Sequence, residues 1–238
     1  MITIMNKFNP IHRINVLLVT AFISMAAIYG CGDSTTTPTQ ADNLSFSGVS
    51  SDDSVGDAQN YLILDTVKIL IKDIKIKYAN TSDDSTDFKV GPFVLFLNLT
   101  SSVNVISTGI VPAGNYRKVK FEIHKLQDAE AIPDPEFADA NGRYSVIVKG
   151  KYFGNYFVYK STKSAHQILN FPSDIGVAAD RSTNLTLLVK PYIWFIKDGA
   201  YLDPFNPDNA NDIDNNIKDN INNNFKAFRD NDKNGLED

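Results

Sequence analysis

Between residues 61 and about 196, apolar residues recur at every second position, broken by turn residues and with no intervening stretch of 3.6-residue helical spacing. A chain patterned in this way folds as strands that keep one face dry. Val67, Ile69 and Ile71 alternate with Lys68, Leu70 and Lys72, after which Ile74, Ile76 and Tyr78 continue in the opposite phase. A one-residue slip carries every side chain to the other face of a sheet, so a bulge or break is expected near Asp73. Further strands are expected over residues 92–99, 116–126, 143–153, 156–161, 167–171 and 185–196. About seven short strands of this kind predict a mainly β fold, a single antiparallel β-sandwich over residues 61–200.

One hairpin can be read in detail. Gly154 and Asn155 form a favoured two-residue turn pair, which sets Phe153 opposite Tyr156 and Tyr152 opposite Phe157. That register assigns Val146, Val148, Tyr152, Phe157 and Tyr159 to the core. It leaves Lys149, Lys151, Phe153, Tyr156, Val158 and Lys160 on the other face, with Lys149 directly opposite Lys160. Like charges in that position are destabilising unless solvated or neutralised. The face is either a basic and aromatic binding surface for an acidic glycan or anionic headgroup, or a solvated sheet guarded by lysines.

The first 30 residues obey a different rule. Lys7 and Arg13 stand without any acidic residue, and residues 14–30 are charge-free and mostly apolar, the order of an export signal. With Asn15, Thr20 and Ser24 inside it, this run falls short of the roughly 20 apolar residues of a spanning helix. At its end, Ile28, Tyr29, Gly30 and Cys31 resemble the lipobox of bacterial lipoproteins. The resemblance implies cleavage before Cys31, a diacylglyceryl group on its thiol and an amino-terminal acyl chain such as palmitate, enough tails for stable membrane anchoring. It places the mature chain in the bacterial cell envelope, and Gly32, standing where an aspartate retains lipoproteins at the inner membrane, favours the outer membrane. Cys31 is the only cysteine, so the domain has no disulfide, thiolate zinc site or cysteine nucleophile.

Without residues 1–30 the chain carries 21 basic and 28 acidic residues, a net charge of −7. Nucleic acid is therefore not an expected partner, since its phosphates demand a clustered basic surface. The polar stretches 34–40 and 50–60 predict a flexible tether over residues 31–60. Asn98 and Asn184 open Asn-X-Ser/Thr sequons, which carry little weight in a bacterial envelope protein. Val111, Pro112, Ala113, Gly114 and Tyr116, followed by Val119, Phe121 and Ile123 and later by the aromatic cluster Tyr192, Trp194 and Phe195, resemble an uncharacterised bacterial lipoprotein domain family with a V-P-A-G-x-Y turn. That resemblance implies a prealbumin-like β-sandwich of unassigned function and supplies no catalytic residues.

The domain shows no catalytic constellation. Its two histidines, His124 and His166, fall in separate predicted strands, with no His-x-x-x-His pair and no Gly-x-Ser-x-Gly elbow. The expectation is a non-catalytic module, structural or binding a glycan or another envelope protein. The alternative is an envelope enzyme acting on a glycan through carboxylates that sequence spacing does not single out.

From residue 203 onward there are nine acidic residues, four basic residues and eleven asparagines. Ile213, Ile217, Ile221, Phe225 and Phe228 lie on one stripe at 100° per residue, predicting an amphipathic helix capped at Asn211 or Asp212 within a C-terminal segment 201–238. Asparagine is a weak helix former, so the helix should depend on docking. It should run directly into a loop whose Asp230, Asp232, Asn234, Leu236 carbonyl and Asp238 match the first half of an EF-hand-like calcium site, with Gly235 at the sharp turn. The bidentate glutamate of the full pattern falls beyond Asp238, so weak, structural calcium binding is expected.

Overall fold

The computed structural model of the chain describes residues 42–50, 61–79, 88–97, 99 and 103–238. The expected export signal, the expected lipobox with Cys31 and most of the expected tether lie outside these residues. What is described is mainly β, with one helix near the C-terminus.

The larger sheet is antiparallel and is built on one long strand, β2 (Leu62–Tyr78). β9 (Val146–Tyr152) pairs residues 62–69 of β2, and β6 (Gly114–Ile123) pairs residues 71–78. β10 (Asn155–Ser161) adds to β9 and β11 (Ala165–Val177) adds to β6, while β3 (Phe88–Val90) and β4 (Phe93–Leu97) also pair with β2. The register of β2 against β6 shifts between Ile71 and Asp73, where the sequence changes phase. The bulge lets Ile71 and Ile74 both face the core, and both are fully buried.

The smaller sheet has the order β15 (Lys226–Arg229), β12 (Thr183–Val189), β1 (Leu44–Ser50), β5 (Asn104–Gly109). Two expectations are corrected here. The sheet is mixed rather than antiparallel, because β1 runs parallel to β12. The stretch 31–60 is not all tether, because β1 lies within it and is buried at every position. β1 is short and three of its seven residues are serine, so its alternation of Leu44 and Phe46 with Ser45 and Ser47 is easily passed over. Gly48 lies so close to the larger sheet that a Cβ there would collide with the Leu95 side chain of β4. Leu44, Phe46, Leu185 and Leu187 join Leu62, Ile69, Leu95, Val119, Phe121 and Val148 in one hydrophobic core.

The V-P-A-G turn into β6 is held by side chains. The Asn43 amide donates to the Val111 carbonyl at 2.9 Å and accepts the Val111 N–H at 2.8 Å, and the Tyr116 hydroxyl donates to the Pro112 carbonyl at 2.7 Å. Both polar groups of Val111 are thereby satisfied away from water.

The hairpin register also needs correction. Tyr152 pairs Asn155, so the two turn residues are Phe153 and Gly154, and Lys149 stands opposite Val158 rather than Lys160. The slip is by two residues, which preserves the faces: Val146, Val148 and Phe157 are buried, and Tyr156 and Val158 are exposed.

The strand expected over 185–196 ends at Val189. Pro191 cannot donate to a ladder and opens a 3-10 turn, Pro191–Phe195, whose Tyr192, Trp194 and Phe195 are buried. The tail helix α1 (Ala210–Asn223) buries Ile213, Ile217 and Ile221 as expected. It starts earlier than predicted, from Asn209, and does not continue into the acidic loop. Asn220 accepts from the Trp194 indole at 2.8 Å, and the Asn216 amide donates to the Trp194 and Ile196 carbonyls at 3.1 and 2.9 Å. Asparagines that weaken an isolated helix thus fasten this one. Phe225 and Phe228 lie past its end, with Phe228 in β15, which pairs antiparallel with β12.

Val148 is fully buried, whereas Val158, on the neighbouring strand's other face, is 58 % exposed. Val148→Asp is expected to unfold the domain, since burying an unpaired carboxylate costs several kcal/mol against a total stability of about 5–15 kcal/mol. Val158→Asp is expected to melt within a few degrees of the parent, and equal melting temperatures for the two variants would refute this facing.

Candidate functional site

The five residues expected to form one basic and aromatic face sit in three different environments. Lys149 and Lys160 are covered by the segment between β6 and β9. Half-buried Lys151 stands opposite exposed Tyr156, with the Lys151 ammonium 4.6 Å from the Tyr156 ring centroid. Phe153 leaves the face at the hairpin tip.

The covering segment, residues 127–143, crosses the outer face of the larger sheet as a strap. Asp134 caps a 3-10 turn, Pro135–Phe137, by accepting the Glu136 N–H at 2.9 Å, with Pro135 at the first position where its missing N–H costs nothing. Phe137, 1 % exposed, is thereby driven into a second small core with Leu70, Leu126, Tyr144 and Ile147. Around this plug the carboxylates meet the lysines of the sheet. Lys68 bonds Asp134 at 2.6 Å and Glu136 at 3.0 Å, Lys149 bonds Glu136 at 2.6 Å, and Lys160 bonds Asp139 at 2.6 Å. Arg143 donates to the Asp128 and Glu130 carbonyls at 2.7 and 3.1 Å and closes the strap at its base.

The electrostatics follow from these contacts. Hydrogen bonds from Lys160, Tyr144 and the Asn141 N–H pull the Asp139 carboxyl down to about 2. Hydrogen bonds from Lys149 and Lys68 hold Glu136 below its ordinary value. Burial pushes Asp134 up, but bonds from Lys68 and the Glu136 N–H outweigh it and the net is downward. Burial likewise pulls Lys68 down, but its two carboxylates outweigh that and raise it. A shallow depression remains beside the strap, lined by Glu136, Ala138, Ile147, Lys149, Val158 and Lys160.

The hairpin tip is aromatic. Phe153 has φ +47° and Gly154 φ +79°, a turn geometry that favours asparagine or glycine at its first position. The β13 (Ile196–Lys197) and β14 (Ala200–Tyr201) hairpin makes the same kind of turn with Asp198 and Gly199, a preferred pair, at φ +51° and +78°. A phenylalanine in the left-handed region is strained by about 1–2 kcal/mol. What holds it there is the Phe153 N–H, which donates to the Tyr61 carbonyl at 2.7 Å, and ring stacking on Tyr61 with centroids 4.7 Å apart. Tyr152 meets Phe153 edge-on at 4.8 Å, and Tyr201 meets Tyr61 edge-on at 6.4 Å. Phe153 remains 57 % exposed, Tyr61 40 % and Tyr156 72 %. Tyr61 and Tyr201 escaped sequence analysis because each lies beside a turn rather than within a patterned strand; a bulky residue before Gly154 was the available signal.

In the C-terminal loop the structure brings Asp230, Asp232 and Asp238 together, with carboxylate oxygens within 4.8 Å of one another. Asp230 is fully buried and accepts from the Thr186 hydroxyl at 2.7 Å and from the Asn234 and Gly235 N–H groups at 2.9 and 3.1 Å. Asn234 turns its side-chain oxygen to the Leu236 N–H at 2.7 Å and its amide to Asp232 at 2.8 Å. Asp238 accepts from the Asn231 N–H at 3.0 Å and lies 3.4 Å from the Arg229 guanidinium. Protein donors therefore account for the closure of this loop, which leads out of a strand and not out of a helix. The two histidines stay within the large sheet's periphery, His124 beside Ser164 and His166 opposite Glu122.

Comparison with protein-family models, with curated proteins and with solved structures finds no match to this chain.

Asp134, Glu136 and Asp139 are depressed in the folded state, so the stabilisation they give the strap is complete above the ordinary carboxylate range near pH 4 and is lost as pH falls through the depressed values. Amide-exchange protection at Phe137 and Tyr144 is expected to hold from pH 5 to pH 8 and to collapse toward pH 2 ahead of the core around Trp194. Phe137→Ala should produce the same local opening at neutral pH, at a cost of about 3–5 kcal/mol. Strap protection lost only together with the core would contradict this.

Proposed function

We propose that this chain is a lipid-anchored protein of the bacterial envelope, more specifically of the outer membrane, whose β-sandwich is a non-catalytic module that binds glycan at the aromatic hairpin tip. The observation that carries the binding reading is Phe153, an exposed aromatic ring held in a left-handed turn position and stacked on a second exposed ring. Local strain at a surface residue, maintained by specific contacts, is a mark of functional sites. Flat aromatic faces suit the C–H faces of sugar rings, and the neighbouring Tyr152, Tyr156 and Tyr201 add hydroxyls and further ring area. The single core shared by the two sheets supports a sandwich.

The anchor reading rests on the lipobox. It gains a physical consequence from β1: only ten residues, 32–41, lie between Cys31 and Asp42, where the described fold begins. Fully extended they reach at most about 40 Å, so the domain would work close to its bilayer.

Two measurements test the two halves separately. Cys31→Ala is expected to abolish lipid labelling and to move the protein out of the membrane fraction; unchanged partition with intact label would overturn the anchor. Phe153→Asn relieves about 1–2 kcal/mol of left-handed strain and forfeits about 0.5–1.5 kcal/mol of ring stacking, so its melting temperature should stay near the parent's. On a glycan array the parent should retain ligands that the variant binds at least tenfold more weakly, and ligands bound equally by both, or none bound by either, would remove the site.

A further inference from the structure

The larger sheet carries a second basic area, remote in sequence from the hairpin. Across β2 and β6, Lys75 stands directly opposite Lys120 and Lys77 directly opposite Lys118. One strand further, Lys120 is in register with Ile168 and Lys118 with Asn170. These residues occupy the outer face, since the intervening Ile74, Ile76, Val119 and Phe121 are all buried in the core. Lys72 lies beyond the bulge on the same side, 3.7 Å from Glu122, and the carboxylates on the face are Asp73 and Glu122, themselves in register. Among the described side chains this face therefore holds four partly exposed lysines, Lys72, Lys75, Lys118 and Lys120, with Glu122 beside Lys72, while Lys77 and Asp73 are buried, on a chain whose formal net charge is −5.

Like charges in register destabilise a strand pair, and here the pairing occurs twice in succession. The strap shows how this protein neutralises lysines when it covers them, by setting a carboxylate 2.6 to 3.0 Å from each of Lys68, Lys149 and Lys160. Lys75 and Lys118 have no such carboxylate among the described residues. Both are half-buried, and a long lysine stem can lie along apolar surface while its charged head stays in water. Ile168 beside them is 55 % exposed.

We propose that this lysine face docks on the anionic headgroups of the membrane to which the chain is tethered. The proposal rests on the anchor reading for proximity: a ten-residue connection keeps Asp42 within about 40 Å of the bilayer, and the domain that carries the face with it, so it needs only weak intrinsic attraction. Each lysine near an anionic surface strengthens binding about fivefold, and the attraction is confined to about 8–10 Å at physiological salt. An exposed isoleucine among lysines suits the headgroup boundary. Single-stranded nucleic acid is disfavoured, because no aromatic side chain stands among these residues to stack a base.

The test uses the full acylated chain on vesicles of phosphatidylcholine alone and on vesicles half phosphatidylglycerol, with lysines labelled by an amine-reactive reagent and read by mass spectrometry. Flotation with the neutral vesicles reports the anchor by itself. Labelling of Lys75, Lys118 and Lys120 is expected to fall about fivefold or more on the anionic vesicles and to recover at high salt, while Lys151 and Lys226 stay unchanged. In the double variant Lys118→Glu with Lys120→Glu, protection of Lys75 should disappear. Equal labelling on both vesicle types with flotation intact overturns the lysine face and leaves the anchor standing. Protection by added RNA on neutral vesicles, without protection by anionic lipid, overturns it in favour of a nucleic-acid partner.

Discussion

The fold depends on a buried polar junction around Asn184. Its side-chain oxygen accepts the hydroxyls of Ser45 and Ser47 at 2.6 and 2.8 Å, and its amide donates to the Thr186 hydroxyl at 3.0 Å and the Asp230 carbonyl at 2.9 Å. All four hydrogen-bonding positions of one amide are filled without water, so each partner is fixed by the others. The junction ties together β1, β12 and the loop after β15, three segments from opposite ends of the chain. Removing one member would leave the rest buried and unpaired, a cost of about 1–3 kcal/mol for each group. Hydrophobic burial drives the collapse of the two sheets; this junction specifies which strands of the smaller sheet lie side by side.

A different principle operates on the outer face of the larger sheet. Lysines line it from end to end, and the chain treats its two parts differently. Over β9 and β10 a strap with an aromatic plug brings carboxylates to the ammonium groups, producing ion pairs partly shielded from solvent. Such pairs are weak contributors individually, but here they surround Phe137, whose burial supplies the larger energy. On β6 and the second half of β2, the half-buried Lys75, Lys118 and Lys120 lie outside the strap. The contrast makes the strap a local cover on part of a basic surface.

Long periodic elements were legible in the sequence. The phase change at Asp73 announced its bulge, and Ile213, Ile217 and Ile221 announced a docked helix. The failures share a cause, which is that tertiary partners decided them. β1 alternates over too few residues to signal a strand, and its place comes from β12, 139 residues later. The hairpin turn followed ring stacking on Tyr61 instead of the better turn pair Gly154 and Asn155, a choice invisible without knowing that Tyr61 lies alongside. Phe225 and Phe228 continued the helical stripe by spacing, but β12 offered an open edge and the chain after Asn223 took it. The carboxylates of the acidic loop do converge, yet Asp230 points inward to Thr186, a partner that no local pattern reveals.

The placement of β1 has a mechanical consequence. Any pull transmitted through the residues before Asp42 enters the fold at Asn43 and runs along the axis of β1, which is hydrogen-bonded on both sides, to β12 and to β5. Force along a strand held on both edges loads its hydrogen bonds in shear, all together, and not one after another as in peeling a hairpin open. The first strand of the described fold is thus clamped on both edges, and the strain it bears is shared across the smaller sheet.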